Sequence, residues 1–341
     1  MAPGSRLKID GAILVEDPAD AGPLAARLEA AGYDGGFTFE GQHDPFLPLA
    51  VAAQQTERLE LATAIAVGFA RNPMTLANTA YDLQRLSRGR FVLGLGTQIR
   101  PHIERRFSMP WSRPAPRMRE MILATRAILT AWQEGSPLDF RGEFYQHTLM
   151  TPVFDPGPNP HGVPAIFCAG VGARMTEVAG EVGDGFLVHP FHTLPFFKDE
   201  ALPALARGRE RAGRAPGDCQ ISCQVIVATG RNDEELEGTR NGARAQISFY
   251  GSTPAYRPVL ESIGRGDLQE ELRRLSKEGR WLEMAGRIDD DLLERIAVVA
   301  PRDQLAARIR ERYEGLVDRV SLVAPFAPDA ELMADVVADL R

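Results

Sequence analysis

The sequence predicts an α/β chain closed into a (β/α)8 TIM barrel, with insertions after strands four and seven. Three observations carry this reading. Short β-rich runs alternate with longer helix-patterned stretches, the order that builds a parallel sheet with crossovers. There are eight such runs, enough to close on themselves. The first strand-to-helix turn, "GAILVEDPADAG", lacks the glycine fingerprint that a doubly wound dinucleotide fold carries there. At 341 residues the chain fits one large barrel, so residues 1–341 are read as a single domain. A composition of 44% hydrophobic and 25% charged residues provides for a sizeable core.

The eight predicted strands are "LKIDGAILV" (7–15), "GGFTF" (35–39), "LELATAIAV" (59–67), "RFVLGLG" (90–96), "PAIFCAG" (164–170), "GFLVH" (185–189), "CQISCQVIVATG" (219–230) and "RVSLVAP" (319–325). After the first, Leu24, Leu28 and Ala31 share one helical face and Gly32 is the stop. Before the fourth, Asn72 caps a helix whose first residue is Pro73, with Leu76, Ala80 and Leu83 on one face and Gly89 as its end. Two intervals exceed a bare crossover. Residues 97–163 hold a helix near "RMREMILATRAILTAWQ" and then Pro156, Pro158, Pro160 and Pro164, which set an extended approach to strand five. Residues 231–300 carry helical stretches around "LQEELRRLSKEGRWLEMA". Insertions of this size either cover the barrel mouth or serve packing and assembly.

Charge and cysteine content narrow the function classes. Lys and Arg total 39 against 46 Asp and Glu, a net charge of −7, so no global attraction to nucleic acid or to an anionic membrane is expected. Three cysteines, Cys168, Cys219 and Cys223, show no metal-type spacing and no disulfide framework, which fits a reducing cytosol. No signal-peptide core and no membrane-spanning apolar run is read, so a cytoplasmic protein with a small-molecule partner is expected. Carboxylate pairs, His clusters of ligand spacing, a nucleophile elbow and a Walker loop are missing from the sequence, which leaves the chemistry to a bound cofactor.

In a barrel the binding groups lie just past the C-terminal ends of the strands. After strand two comes "EGQHDPF", with Glu40, Gln42, His43 and Asp44 in a row; His43 is the candidate proton donor or ring-edge contact. After strand five, "GVGARMTEV" is a glycine turn running into a helix. Its backbone N–H groups at Gly170, Val171, Gly172 and Ala173 favour a phosphate, with Arg174 available for a charge-assisted contact. His189 ends strand six. His102, His147 and His161 are read as surface groups. Gly94 and Gly96 either leave room for a flat ligand or relieve crowding between barrel layers. "YGSTPAYRP" is either a polar aromatic wall, through Tyr250 and Tyr256, or a source of core tyrosines.

The phrases "LELATAIAVGFARNPMTLANTAYDLQRLSRGRFVLGLGTQ", "GVPAIFCAGVGARMTEVAGEVGDGF" and "EGQHDPF" resemble the bacterial luciferase-like monooxygenase superfamily, and within it the coenzyme F420-dependent oxidoreductases. The resemblance spans strands two to six; strands seven and eight agree in outline. It implies a barrel holding a deazaflavin or flavin at the strand ends, with a non-proline cis peptide at Ala64–Ile65 under the ring and the phosphate near the strand-five loop. On that basis Glu40, Thr63, Ala64, Ile65, Thr97, Gln98, Gly170, Val171, Gly172, Ala173, Arg174 and His189 are expected to bind cofactor, and His43 to face the redox carbon as the catalytic residue. The glycine-ended fourth strand is then the room for the ring.

The function so implied is hydride transfer between F420 and a small organic molecule in a homodimer. An FMN-dependent monooxygenase and a cofactor-free, non-enzymatic barrel are the alternatives. Sugar-phosphate dehydrogenases of the branch carry a tryptophan after the strand-two histidine and a glutamate after strand four; here those places read "DPFL" and Ile99, which argues against glucose 6-phosphate.

Overall fold

The computed structural model describes residues 6–324 and 330–341. Eight parallel strands close a barrel: β1 (Lys8–Ala12), β2 (Gly35–Thr38), β3 (Glu60–Thr63), β4 (Phe91–Gly96), β5 (Ala165–Gly170), β6 (Gly185–Val188), β7 (Gln220–Ala228) and β8 (Arg319–Val323). Each pairs with its sequence neighbours, and β8 returns to β1 with Ile9 opposite Val320. The (β/α)8 reading holds. The predicted run 59–67 divides into β3 and a two-residue strand, Ala66–Val67, which pairs with β4. The interruption is a cis peptide bond between Ala64 and Ile65. The predicted end of the eighth strand at Pro325 lies outside the described residues.

Strand order is locked at the N-terminal side by a device repeated three times. Asp34, Asp184 and Asp318 each precede a strand (β2, β6, β8), and each carboxylate accepts the N–H of a residue in the strand before it: Ile9, Ile166 and Ile221, at 2.9, 2.8 and 2.7 Å. Each aspartate's own N–H and carbonyl bond the strands on its two sides. One short acid thus satisfies backbone donors that would otherwise be stranded between strand and loop. The barrel floor is ionic. Arg319 is 5% exposed, donates to both Asp10 carboxylate oxygens at 2.7 Å, and reaches Glu60 at 2.6 Å.

Around the barrel, the helix Pro73–Leu86 is capped by Asn72, whose side chain accepts from Thr75 N–H at 3.0 Å. It ends at Leu86, earlier than read; Gly89, at φ 89°, makes the left-handed turn into β4. The helix Pro114–Glu134 packs between Pro73–Leu86 and Ala173–Val182, which makes it the barrel's own fourth crossover helix. The added chain is therefore its two flanks: a short helix Arg100–Arg105 before it, then a hairpin (Phe140–Arg141 with Gln146–His147) and an extended proline segment after it. In that hairpin His147, read from sequence as a surface group, is half-buried.

The second insertion has its own apolar core of Ile247, Val259, Leu260, Leu272, Leu275, Leu292 and Ile296, fused to the barrel through Phe191, Phe196, Ile226 and Ala228. The short strand Val298–Val299 pairs in parallel with the end of β7, Val298 opposite Val227.

Candidate active site at the C-terminal rim

The loops after β2, β3, β4, β5 and β6 bring most of the sequence-selected residues to one rim. The β2 loop is drawn back by Thr38, whose hydroxyl donates to the Pro45 carbonyl at 2.7 Å, and by Asp44, which accepts from Phe46 N–H at 2.8 Å to start the helix Phe46–Gln55. Glu40 is committed within the protein. Its carboxylate is 7% exposed, pairs with Arg71 and accepts from Val67 N–H at 2.7 Å, while its own N–H donates to the Ile65 carbonyl at 3.0 Å. Arg71 also donates to Asp44 at 3.0 Å. Sequence reasoning passed over Arg71, which ties both acids of the loop. His43 stands exposed between them, with no side-chain partner among the described residues.

The two backbone groups of Ala64, the residue before the cis link, are held from β2 and from β7. Ala64 N–H donates to the Thr38 carbonyl at 2.6 Å, and the Ala64 carbonyl accepts from Gln224 Nε2 at 3.3 Å. Gln224 lies on β7, so its side chain crosses the barrel interior. It was missed, although Gln220, Ser222 and Gln224 alternate along "QISCQ" as an inward polar face would. Thr63 is fully buried, and its hydroxyl both donates to the Gly94 carbonyl at 2.8 Å and accepts from Gly94 N–H at 2.9 Å.

The glycines of β4 serve that contact. A Cβ at Gly94 would stand 1.8 Å from the Thr63 carbonyl oxygen, and one at Gly96 2.8 Å from the Ile65 side chain. The room attributed to a planar ring is taken by the β3 backbone and by Ile65, so the crowding reading is the correct one. Beyond Gly96, Thr97 donates to the Gln98 carbonyl at 2.9 Å. Gln98 adopts φ 59°, a conformation uncommon outside glycine, with its side-chain oxygen accepting from Ile99 N–H at 2.9 Å.

At the end of β5 the two glycines differ. A Cβ at Gly170 would press on Met175 at 2.7 Å, whereas one at Gly172 would meet nothing within 4 Å. Gly172 is the N-cap of the helix Ala173–Val182 and brings no capping side chain. Its carbonyl accepts from Met175 and Thr176 N–H at 3.0 and 3.1 Å. The Ala173 and Arg174 N–H groups have no acceptor among the described residues, and both residues are exposed. Open backbone donors at a helix start suit an anionic oxygen.

His189 closes the rim. It is half-buried, with the rings of Tyr250 and Tyr256 at 4.8 and 4.5 Å between centroids. Phe191 N–H donates to its Nδ1 at 3.1 Å, and its Nε2 lies 3.1 Å from the Tyr256 hydroxyl. Burial, with His192 nearby, pushes its imidazole down to about 3, so it is neutral at ordinary pH. Burial pushes the Tyr256 phenol up to about 12. Both tyrosines come from the second insertion, so "YGSTPAYRP" supplies an aromatic clamp on a rim histidine, a combination of the two readings left open by its sequence. His192 is used elsewhere: Nδ1–H donates to the His189 carbonyl at 2.9 Å, and Nε2 faces the Tyr313 hydroxyl at 3.1 Å.

All three cysteines are free and buried. Among the described residues no cluster of His, Cys, Asp and Glu is placed to hold a metal, and no helix is long and apolar enough to cross a membrane. The rim therefore offers backbone donors, a neutral imidazole with a phenol, and an exposed histidine.

Comparison with known proteins agrees with this architecture. An uncharacterized protein of Mycobacterium tuberculosis is 56% identical over 320 residues, 94% of each chain. A 5,10-methylenetetrahydromethanopterin reductase of Archaeoglobus fulgidus is 26% identical over 312 residues, 88% of each chain. Among solved structures, the coenzyme F420-dependent tetrahydromethanopterin reductase from Methanopyrus kandleri superposes with a TM-score of 0.81 at 19% identity, covering 98% of this chain and 97% of that one. The profile of the luciferase-like monooxygenase family matches residues 4–319, and the chain belongs to that family.

Proposed function

We propose that the chain is a coenzyme F420-dependent oxidoreductase that moves a hydride between the deazaflavin and a small organic molecule. The observation that carries this reading is the uncapped helix start at Gly172, where the Ala173 and Arg174 N–H groups lie open on the rim of a luciferase-like barrel. Those donors suit the phosphate of such a cofactor, with Gly170 and Val171 as the turn beneath it. The reductases of Archaeoglobus fulgidus and Methanopyrus kandleri, the latter named as F420-dependent, favour a deazaflavin.

When bound, the cofactor supplies the hydride donor or acceptor. In this reading the remaining tasks belong to the protein. Ala64 and Ile65, held by Gln224, Thr38 and Glu40, form the shelf under the ring, and Thr63 fixes that shelf against β4. Thr97 and Gln98 line its edge, and His189 lies on the tail side. His43, exposed and free of partners among the described residues, hydrogen-bonds or protonates the reacting group as the catalytic residue. The insertions exclude water from the rim. The reading takes residues 1–341 as one working unit, cytoplasmic and homodimeric.

The family's own description keeps one other reading in play, an FMN-dependent monooxygenase. A deazaflavin has carbon where a flavin has the nitrogen needed to sustain a peroxide adduct. Oxygen uptake with reduced FMN separates the two: the F420 reading expects none above background, and rapid uptake would replace it. Incubating purified protein with each cofactor and recording the absorbance that co-elutes is the companion test; co-elution of neither would favour a cofactor-free barrel.

A further inference from the structure

Tyr256 reaches the rim from the short turn Pro254–Tyr256, which follows the long helix Asp233–Gly251 of the second insertion. Its hydroxyl lies 3.1 Å from His189 Nε2, and the polarity of that hydrogen bond is decided at the other ring nitrogen. Phe191 N–H donates to His189 Nδ1 at 3.1 Å, so Nδ1 is an acceptor and the neutral ring carries its hydrogen on Nε2. The imidazole therefore donates to Tyr256 Oη. A phenol has one hydrogen, and here it is left over: among the described residues no acceptor takes it. Tyr256 is thus a donor whose direction is set by the residue behind it.

The location of this spare donor narrows its partner. His189 lines a small cavity together with Gly170 and Val171, the turn that leads into the helix Ala173–Val182. Val171, Tyr250 and Tyr256 pack on the same apolar cluster. The Ala173 and Arg174 N–H groups at the start of that helix have no acceptor among the described residues, and His189, which carries the bond to Tyr256, lines the cavity beside the turn. The groups left free here, two N–H and the Tyr256 hydroxyl hydrogen, are all donors. A carbonyl substrate would need one such donor, whereas a tetrahedral oxyanion accepts from several directions at once.

We propose that Tyr256, oriented by His189, donates its phenolic hydrogen to a phosphate oxygen of the cofactor docked at the Gly170–Val171 turn. The assignment rests on the cofactor reading above and extends it to a side chain from the second insertion. It makes that insertion part of the binding site. Burial, by keeping the phenol protonated throughout the working pH range, is consistent with an obligate donor.

The test compares ligands that differ only by the phosphate-bearing tail: F420 against the deazaflavin–ribityl fragment, and FMN against riboflavin. Dissociation constants are measured by fluorescence for wild type, Tyr256→Phe, His189→Gln and His189→Leu, with thermal melts confirming the fold. Tyr256→Phe is expected to weaken F420 or FMN by about tenfold or more while leaving the phosphate-free partner within about twofold. His189→Gln keeps a donor behind Tyr256 and retains the preference for the phosphate form; His189→Leu loses it. Equal weakening of both members of a pair would reduce Tyr256 to a wall of the pocket and overturn the proposal. No change in any constant would overturn it too, by sending the hydrogen elsewhere. Wild-type protein that binds none of the four ligands would instead remove the cofactor reading, and this assignment with it.

Discussion

Gln224 on β7 donates to the carbonyl of Ala64 at the end of β3, spanning the barrel interior at 3.3 Å. With Glu40 N–H on the Ile65 carbonyl, it fixes the carbonyl oxygens of both residues of the Ala64–Ile65 link, from β7 and from the loop after β2. Replacing Gln224 by leucine leaves one of these oxygens facing an apolar side chain. Loss of such a bond costs about 1 kcal/mol. Urea unfolding should report that loss, and F420 affinity should fall in parallel if the link is the shelf proposed above.

The rim glycines give a paired prediction. At Gly94 a methyl group would overlap the Thr63 carbonyl, a contact with backbone that no side-chain rotation relieves. Gly94→Ala is expected to destabilise by about 3 kcal/mol or more. At Gly172, which has φ −76° and open space around it, alanine is compatible with the fold. Gly172→Ala, where the entropy removed from the unfolded chain is offset by alanine's poorer fit at an N-cap, should change stability by less than about 1 kcal/mol. Thermal melts should therefore drop strongly for Gly94→Ala alone.

The ionic floor predicts a large, one-sided effect. Arg319 and Asp10 are both buried, so truncating the acid strands a guanidinium whose remaining partner is Glu60. Asp10→Ala should cost about 3–5 kcal/mol in chemical denaturation, the range for breaking a buried pair.

Stability should also fall as the pH is lowered, with signs that follow from the shifts. His192 is held down to about 4 by burial, and also by Arg312, against an ordinary 6.5. The unfolded chain takes up its proton first, so this contribution is intact above about pH 6.5 and declines below it, approaching about 1.4 kcal/mol per pH unit. For Glu60 burial acts to raise the pKa, but the Arg319 guanidinium and the Lys8 ammonium outweigh it and hold the carboxyl below its ordinary 4.5. Its contribution is present above that value and is lost as the pH drops through the lowered one. His189, held down to about 3 by burial, contributes a slope of the same sign, so His192→Gln should roughly halve the pH dependence between about 6.5 and 5 and leave the acid limb in place.

The parts of this fold legible in sequence were those written as local pattern. Eight apolar runs with crossovers gave the barrel because a parallel strand buried on both faces is hydrophobic throughout. Asn72 announced its helix because a cap is a property of a few adjacent residues. What escaped depended on partners remote in the chain. Gln224 and Ala64 are 160 residues apart, and only closure of the barrel makes them neighbours. The same holds for Gly94, whose missing side chain answers to the Thr63 backbone, where a ligand had been expected. Tyr256 could not be assigned because its role is set by His189, which is itself defined by a hydrogen bond from Phe191. The exposed backbone donors at Gly172 were readable, since a glycine turn into a helix leaves them free whatever surrounds it.

Calorimetric titration of the purified protein with F420, and with FMN in parallel, tests the central claim most directly. Saturable binding of F420, tighter than that of FMN and weakened in Tyr256→Phe, is the expected result. A flat F420 titration beside a saturable FMN curve would contradict it.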